Sequence, residues 1–265
     1  MSESATIIST APAPHAAAGA IEAVKTYGIG DSEVRALDGV TVAFEQGKYT
    51  AVMGPSGSGK STLMHCLAGL DALTTGAVYI GDTYLAKLDD KALTELRRSD
   101  VGFVFQAYNL IPTLTAEENI TLPLLLGGTK GDPKWIDEVV RTVGIKDRLR
   151  HRPSELSGGQ QQRVAVARAL AARPKIIFAD EPTGNLDSHS GAEILEFMRR
   201  AVTEYGQTIV MVTHDPNAAA TTSSIASWSA ACSGRISTPA ACRTAPSSTG
   251  SVSPSSASHP APLQA

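Results

Sequence analysis

The residues of this 265-residue chain best suited to chemistry are Gly54-Pro55-Ser56-Gly57-Ser58-Gly59-Lys60-Ser61-Thr62. They fit G-x-x-x-x-G-K-[ST], with an apolar run, Thr50-Ala51-Val52-Met53, before them and a helical pattern over residues 62–70 after them. That is the strand, loop and helix context in which the pattern binds phosphate. Three glycines let the loop curl so that backbone N–H groups point at phosphate oxygens, and the helix adds the positive end of its dipole. Lys60 is then placed to reach the β- and γ-phosphates, and Ser61 to give its hydroxyl to Mg²⁺. A second chemical pair, Asp180-Glu181, follows the apolar run at residues 175–179. At the C-terminal edge of a parallel sheet, Asp180 is suited to hold Mg²⁺ through water and Glu181 to polarise a nucleophilic water as a base.

Positioning these groups requires strands alternating with helices. Alternation over residues 21–27 and 34–44 predicts antiparallel strands, with Asp38-Gly39 as a turn. Short strands are predicted at 76–80, 101–105, 175–179 and 208–212. Helices are predicted after Asp89 or Asp90, after the capping box Thr115-x-x-Glu118, after Asp132-Pro133, and over 190–205 with Gly206 as the stop. The pattern gives an α/β fold: a mainly parallel sheet covered on both faces, an antiparallel β edge, and a helical insertion over about residues 107–172. The Ala-, Ser- and Pro-rich residues 1–20 read as a disordered arm.

Bulk properties narrow the function. With 23 basic and 26 acidic residues, nothing favours electrostatic binding to nucleic acid or anionic lipid. Cys66, Cys232 and Cys242 follow no metal-ligand spacing, and Cys66 reads as a buried small hydrophobe in a reducing compartment. No apolar run approaches the ~18 residues of a membrane span, and no secretory leader is read at the N-terminus. A cytoplasmic protein is expected, peripheral to a membrane only through a partner.

Leu156-Ser157-Gly158-Gly159-Gln160, continued by Gln161-Gln162-Arg163-Val164-Ala165-Val166-Ala167-Arg168-Ala169-Leu170, resembles the signature motif of the ATP-binding-cassette ATPases. Read physically, Ser157 is a helix N-cap and Gly158-Gly159 expose helix amides as an anion site. The resemblance spans residues 21–215 and implies a head-to-tail dimer, in which this site closes on the γ-phosphate of ATP·Mg²⁺ held by a second subunit. It further implies that Gln106 is the glutamine contacting Mg²⁺ and the water, that Gly184-Asn185-Leu186-Asp187 is the loop crossing the dimer, and that His214 is the switch histidine. By the same resemblance Tyr27 stacks on adenine. Residues 105–120 and His151-Arg152-Pro153 resemble, more narrowly, the macrolide-export and lipoprotein-release group, whose ATPases drive transmembrane permease subunits. Leu110-Ile111-Pro112 would then meet the permease. A partner of a cell-division or peptide-sensing membrane regulator would share these motifs. A DNA-repair ATPase would split its halves with a long coiled coil, whereas only 96 residues separate Lys60 from Ser157.

After Asp215 the composition changes. Residues 217–265 contain no Asp, Glu or Lys, and read as disordered. The family continues with an Asp-Arg-Val-Val-like strand. Here stands Ser224-Ile225-Ala226-Ser227-Trp228-Ser229, which in GC-rich codons becomes Asp-Arg-Val-Val-Val when read one base out of frame. A frameshift between about Pro216 and Ser223 is therefore expected, with lost sheet strands, weakened hydrolysis, and a degenerate interaction module as the extreme outcome.

Overall fold

The computed structural model describes residues 15–228. Strands β1 (Ala16–Tyr27), β2 (Val34–Glu45), β4 (Thr75–Ile80) and β5 (Thr83–Tyr84) form an antiparallel sheet in the order β2-β1-β4-β5. Strands β3 (Tyr49–Met53), β6 (Val101–Phe105), β7 (Ile176–Asp180), β8 (Ile209–Thr213) and β9 (Ser224–Ser227) form a parallel sheet in the order β6-β7-β8-β3-β9.

Because side chains alternate along a strand, β3, β6, β7 and β8 each feed two cores. Ile209 and Met211 of β8 join one apolar cluster, and Val210 and Val212 the other. The first cluster takes in α3 (Ala116–Leu126), α4 (Pro133–Thr142), α5 (Gly158–Ala171) and α6 (Ser188–Tyr205). The second takes in α1 (Lys60–Leu67), Leu96 of α2 (Asp90–Asp100), and Leu37, Val40 and Phe44 of the antiparallel sheet. Helix starts follow local chemistry: Asp89, Thr115, Asp132, Ser157 and Asp187 each accept a backbone N–H as N-cap, and Gly206 ends α6 in the left-handed conformation.

Three expectations are corrected. The first concerns the N-terminal arm, since β1 already begins at Ala16, inside the stretch read as disordered. Ala18 and Ala20 are fully buried between β2 and β4, so the small residues that look like low complexity are what a crowded central strand needs. Gly19 has no room for a Cβ beside Tyr79. Second, Asp38-Gly39 is not a turn. Gly39 (φ 66°) absorbs a bulge within one long strand, where the register steps from Ala23↔Val40 to Lys25↔Leu37.

The third correction concerns the tail. Residues 216–228 form α7 (Pro216–Ala220) and strand β9, whose Ser224, Ile225, Ala226 and Ser227 pair with Thr50, Ala51, Val52 and Met53. A parallel ladder is made by backbone groups, so small side chains suffice; Ala226 is buried, and the Ser224 and Thr50 hydroxyls meet at 2.9 Å. The expectations for residues 1–14 and 229–265 lie outside the described residues.

Gly76 carries the contact between β4 and β1. Its φ is +93°, and a Cβ there would collide with the Glu22 carbonyl. Gly76→Ala is expected to destabilise the fold by at least about 1–3 kcal/mol, the cost of a non-glycine residue held in such a conformation. Chemical denaturation of the variant against the parent chain measures it.

Candidate nucleotide site

The register of the parallel sheet sets the site. Met53 pairs with Thr213, Asp180 with Val212, and Phe105 with Asp180. The residues just beyond these strand ends, Gly54, His214, Glu181 and Gln106, therefore emerge along one carboxyl edge, where parallel sheets bind ligands.

The loop after β3 curls back on itself. Ser58 N and Oγ donate to the Pro55 carbonyl at 3.3 and 2.7 Å. Lys60 is almost buried, and its Nζ donates to the carbonyls of Gly54 (2.9 Å) and Pro55 (2.6 Å) and to Ser58 Oγ (3.2 Å). Ser56 stands exposed at the turn and Gly57 has φ +74°. Gly59 (φ +94°) is the N-cap of α1 and makes no side-chain cap, so the first amides of α1 keep their donors for an anion. A Cβ on Gly59 would strike the Ala36 carbonyl.

Two carboxylates face different partners. Ser61 Oγ donates to Asp180 Oδ1 at 3.2 Å. Burial pushes the Asp180 carboxyl above its ordinary range, opposed by that hydrogen bond. Glu181 turns away from the strand with φ 46°, an uncommon conformation for a side-chain-bearing residue, held by its N–H to Val212 O at 3.0 Å. Its Oε1 lies 2.8 Å from His214 Nδ1, and this contact raises the imidazole above its ordinary value although the ring is largely exposed.

Gln106 exchanges two bonds with Asn185: its Nε2 donates to Asn185 Oδ1 at 3.4 Å, and Asn185 Nδ2 donates to its carbonyl at 2.8 Å. Gly184 lies against the same side chain, and a Cβ there would come within 2.7 Å of Gln106 Nε2 and displace it. The next turn is strained twice, with Tyr108 at φ 59° and Asn109 at φ 49°. Arg168 of α5 holds this turn through Nη2 to Tyr108 O (2.9 Å) and Nη1 to Asn109 O (2.6 Å).

The signature segment opens α5. Ser157 and Gln160 form a reciprocal capping box on α5, and Leu156 is buried before it. The close neighbours of Gly158 are Tyr108 and Leu186, and that of Gly159 is Ser190. Asp187 caps α6 by accepting from His189 and Ser190, and these backbone bonds hold its carboxyl below the ordinary range.

Tyr27 is exposed at 43%, and its hydroxyl donates to Asp71 Oδ2 at 2.7 Å. Lys25 bonds Asp71 at 2.6 Å and lies 4.7 Å from the centre of the Tyr27 ring, and Thr62 is a further polar neighbour of the phenol. Cys66 is buried on α1, and burial raises its thiol to about 11, which fits a packing role.

The structure thus gathers Ser61 with Asp180, Glu181 with His214, and Gln106 with the segment before Asp187. Asn185, Asp71 and Trp228 join them without having been singled out for a role, and Arg168 was quoted only as part of the signature continuation. Only Asn185 and Arg168 lay within quoted motifs, and nothing in those motifs pointed to the backbone carbonyls they hold. Among the described residues there is no cluster of three or more His, Cys, Asp or Glu able to hold a metal, and no helix long and apolar enough to cross a membrane.

Known proteins share this arrangement. An uncharacterized ABC transporter ATP-binding protein of Thermotoga maritima is 49% identical over 197 residues, 74% of this chain and 84% of the relative. The lipoprotein-releasing system ATP-binding protein LolD of Legionella pneumophila is 44% identical over 193 residues, covering 72% of this chain and 85% of LolD. Among solved structures, the ATP-binding cassette MJ0796 of Methanocaldococcus jannaschii, a dimer in a post-hydrolysis state bound to ADP and Pi, superposes with a TM-score of 0.74 at 41% identity. The match covers 83% of this chain and 96% of that one. With its strand ends, phosphate loop and signature helix so arranged, and residues 37–184 matching the family model described as ABC transporter, the chain belongs to the ABC transporter family.

Proposed function

We propose that this chain binds ATP with Mg²⁺, hydrolyses it as a head-to-tail pair of copies, and drives transmembrane permease subunits of an export or mechanotransmission complex at the cytoplasmic face of a membrane. The observation that carries this is the meeting, on one sheet edge, of the Lys60 loop, the Ser61–Asp180 pair and the Glu181–His214 pair, while Gly158 and Gly159 of the signature segment have Tyr108, Leu186 and Ser190 as their near neighbours. An anion site on Gly158 and Gly159, whose near neighbours are Tyr108, Leu186 and Ser190 and not the phosphate loop, suits a phosphate held by another copy. The dimeric state of the MJ0796 cassette supports the pairing.

Each group then has a part. Lys60 exchanges its carbonyl partners for β- and γ-phosphate oxygens, while Gly54, Pro55, Ser56, Gly57, Ser58, Gly59 and Thr62 shape the cradle around them. Ser61, Asp180 and Gln106 offer hard oxygen ligands, directly or through water, that fit Mg²⁺, which supplies charge neutralisation at the phosphates. Glu181 is the base for the attacking water, and His214, released from Glu181, contacts the γ-phosphate. Leu156, Ser157, Gly158, Gly159 and Gln160 close on the partner's nucleotide, and Asp187 lies in the segment that crosses the pair. The exposed face of Tyr27 stacks on adenine, its phenol steadied by Asp71. Exposed Ile111 and half-buried Leu110, just past Gln106, form the apolar contact for the permease. The family relationship favours this reading over a degenerate module or a cell-division or peptide-sensing partner.

Glu181→Gln is expected to keep ATP binding while lowering hydrolysis by about 10²–10⁴-fold, the usual contribution of a general base. The same variant should accumulate an ATP-stabilised dimer on size-exclusion chromatography. No ATP binding and no dimer would refute the proposal.

The Glu181–His214 contact also predicts a titration. Because the carboxylate favours the imidazolium, the His214 resonance of the nucleotide-free protein should titrate above the ordinary value of about 6.5, and Glu181→Gln should bring it down. The sign for stability follows: this contact contributes fully below about pH 6.5 and is lost as pH rises through the raised value. NMR titration of the imidazole in the two proteins tests both statements.

A further inference from the structure

Trp228 binds both ends of the phosphate loop at once. Its backbone N–H donates to Met53 O at 2.6 Å, at the residue where β3 becomes the loop. Its own carbonyl is packed against Gly54 so closely that a Cβ on Gly54 would collide with it. Its indole Nε1 reaches across the loop and donates to Ser58 O at 2.5 Å. The side chain is 4% exposed and belongs to the apolar cluster of Val52, Leu63, Met64 and Val212, so the indole is fixed from below. Ser58 is in turn the residue whose hydroxyl accepts from Lys60 Nζ.

We propose that Trp228 is a positioning residue for the phosphate loop: through Ser58 it fixes the curl that aims the loop amides and Lys60 at the triphosphate. This rests on the ATP-binding reading of the same loop. The geometry argues for more than packing. A loop that wraps phosphate with backbone amides must hold a narrow set of dihedral angles, and glycines at 54, 57 and 59 leave it little intrinsic stiffness. A single rigid side chain tying residues 53, 54 and 58 supplies the stiffness from outside. An aliphatic side chain at position 228 could fill the apolar space but has no donor for the Ser58 carbonyl. The three neighbouring positions Ile225, Ala226 and Ser227 contribute the ladder to β3, and Trp228 alone adds the bond across the loop.

The test uses the full 265-residue chain. Trp228→Phe keeps an aromatic body and removes the N–H. It is expected to raise KM for ATP by about five- to tenfold, the effect of one buried hydrogen bond, with kcat at saturating ATP within about twofold and a melting midpoint without nucleotide lowered by only about a few degrees. Trp228→Ala should raise KM further and also lower that midpoint. A Phe variant that hydrolyses ATP with the parent's KM overturns the positioning role, and so does one whose only change is a lower midpoint. If the parent chain itself fails to bind ATP, the function proposed above falls first.

A second measurement does not depend on altering Trp228. The chain has two tryptophans, so Trp135→Phe leaves Trp228 as the sole indole. Titration with ATP and Mg²⁺ should change its emission saturably, at the dissociation constant found by equilibrium dialysis. Dialysis that shows binding with no change in emission would overturn the proposal.

Discussion

The structure depends on the hydrogen-bonded register of four parallel strands. Residues 60, 180, 181 and 214, to which the proposed function gives a cation, a metal-binding carboxylate, a base and a sensing side chain, are far apart in the chain. Pairing Met53 with Thr213 and Asp180 with Val212 brings the ends of β3, β7 and β8 level. A slip of one residue in any ladder would turn core side chains outward and carry a residue of the candidate site out of line at the same time. The two apolar faces that enforce the register therefore also set the geometry of the site.

Asp180 and Glu181 show how neighbouring residues divide two tasks. Successive side chains at a strand end point to opposite sides, which puts Asp180 beside Ser61, while the left-handed turn at Glu181 sends its carboxylate to His214. Two adjacent carboxylates facing the same way would repel one another and compete for the same cation. Separated by the turn, one remains half-buried and suited to a metal, and the other stays in hydrogen-bonding contact with an exposed histidine.

Much of this was legible in the sequence where a local rule and the tertiary structure agree. The loop at 54–62, the caps at Thr115, Asp132 and Ser157, and the stop at Gly206 are decided within a few residues, and they stand where the spacing put them. Ala16 to Ala20 misled because composition hides burial: small side chains are uninformative until the crowding around a central strand is known. Gly39 misled because a glycine signals positive φ without saying whether the chain reverses or only bulges. The strand at 224–227 was illegible because its stability comes from backbone pairing with β3 and from the burial of Trp228, neither of which leaves a period in the sequence. Within the site, Asn185 and Arg168 act through backbone carbonyls of Gln106, Tyr108 and Asn109, and such partners have no sequence pattern at all.

Helix α5 is fastened at two points to different loops. Gln162 donates to Pro182 O at 2.6 Å just after the Asp180-Glu181 strand end, and Arg168, almost two turns on, grips the carbonyls of Tyr108 and Asn109. A helix is stiff over this length, so it behaves as a rod with one end on the hydrolytic edge and the other on the surface beyond Gln106. Displacing the rod tugs both loops together, and neither loop can relax without it. Force entering at the Ser157 end would thus leave the subunit as a movement of the turn at residues 108–109, with no need for a relay of small side-chain changes in between.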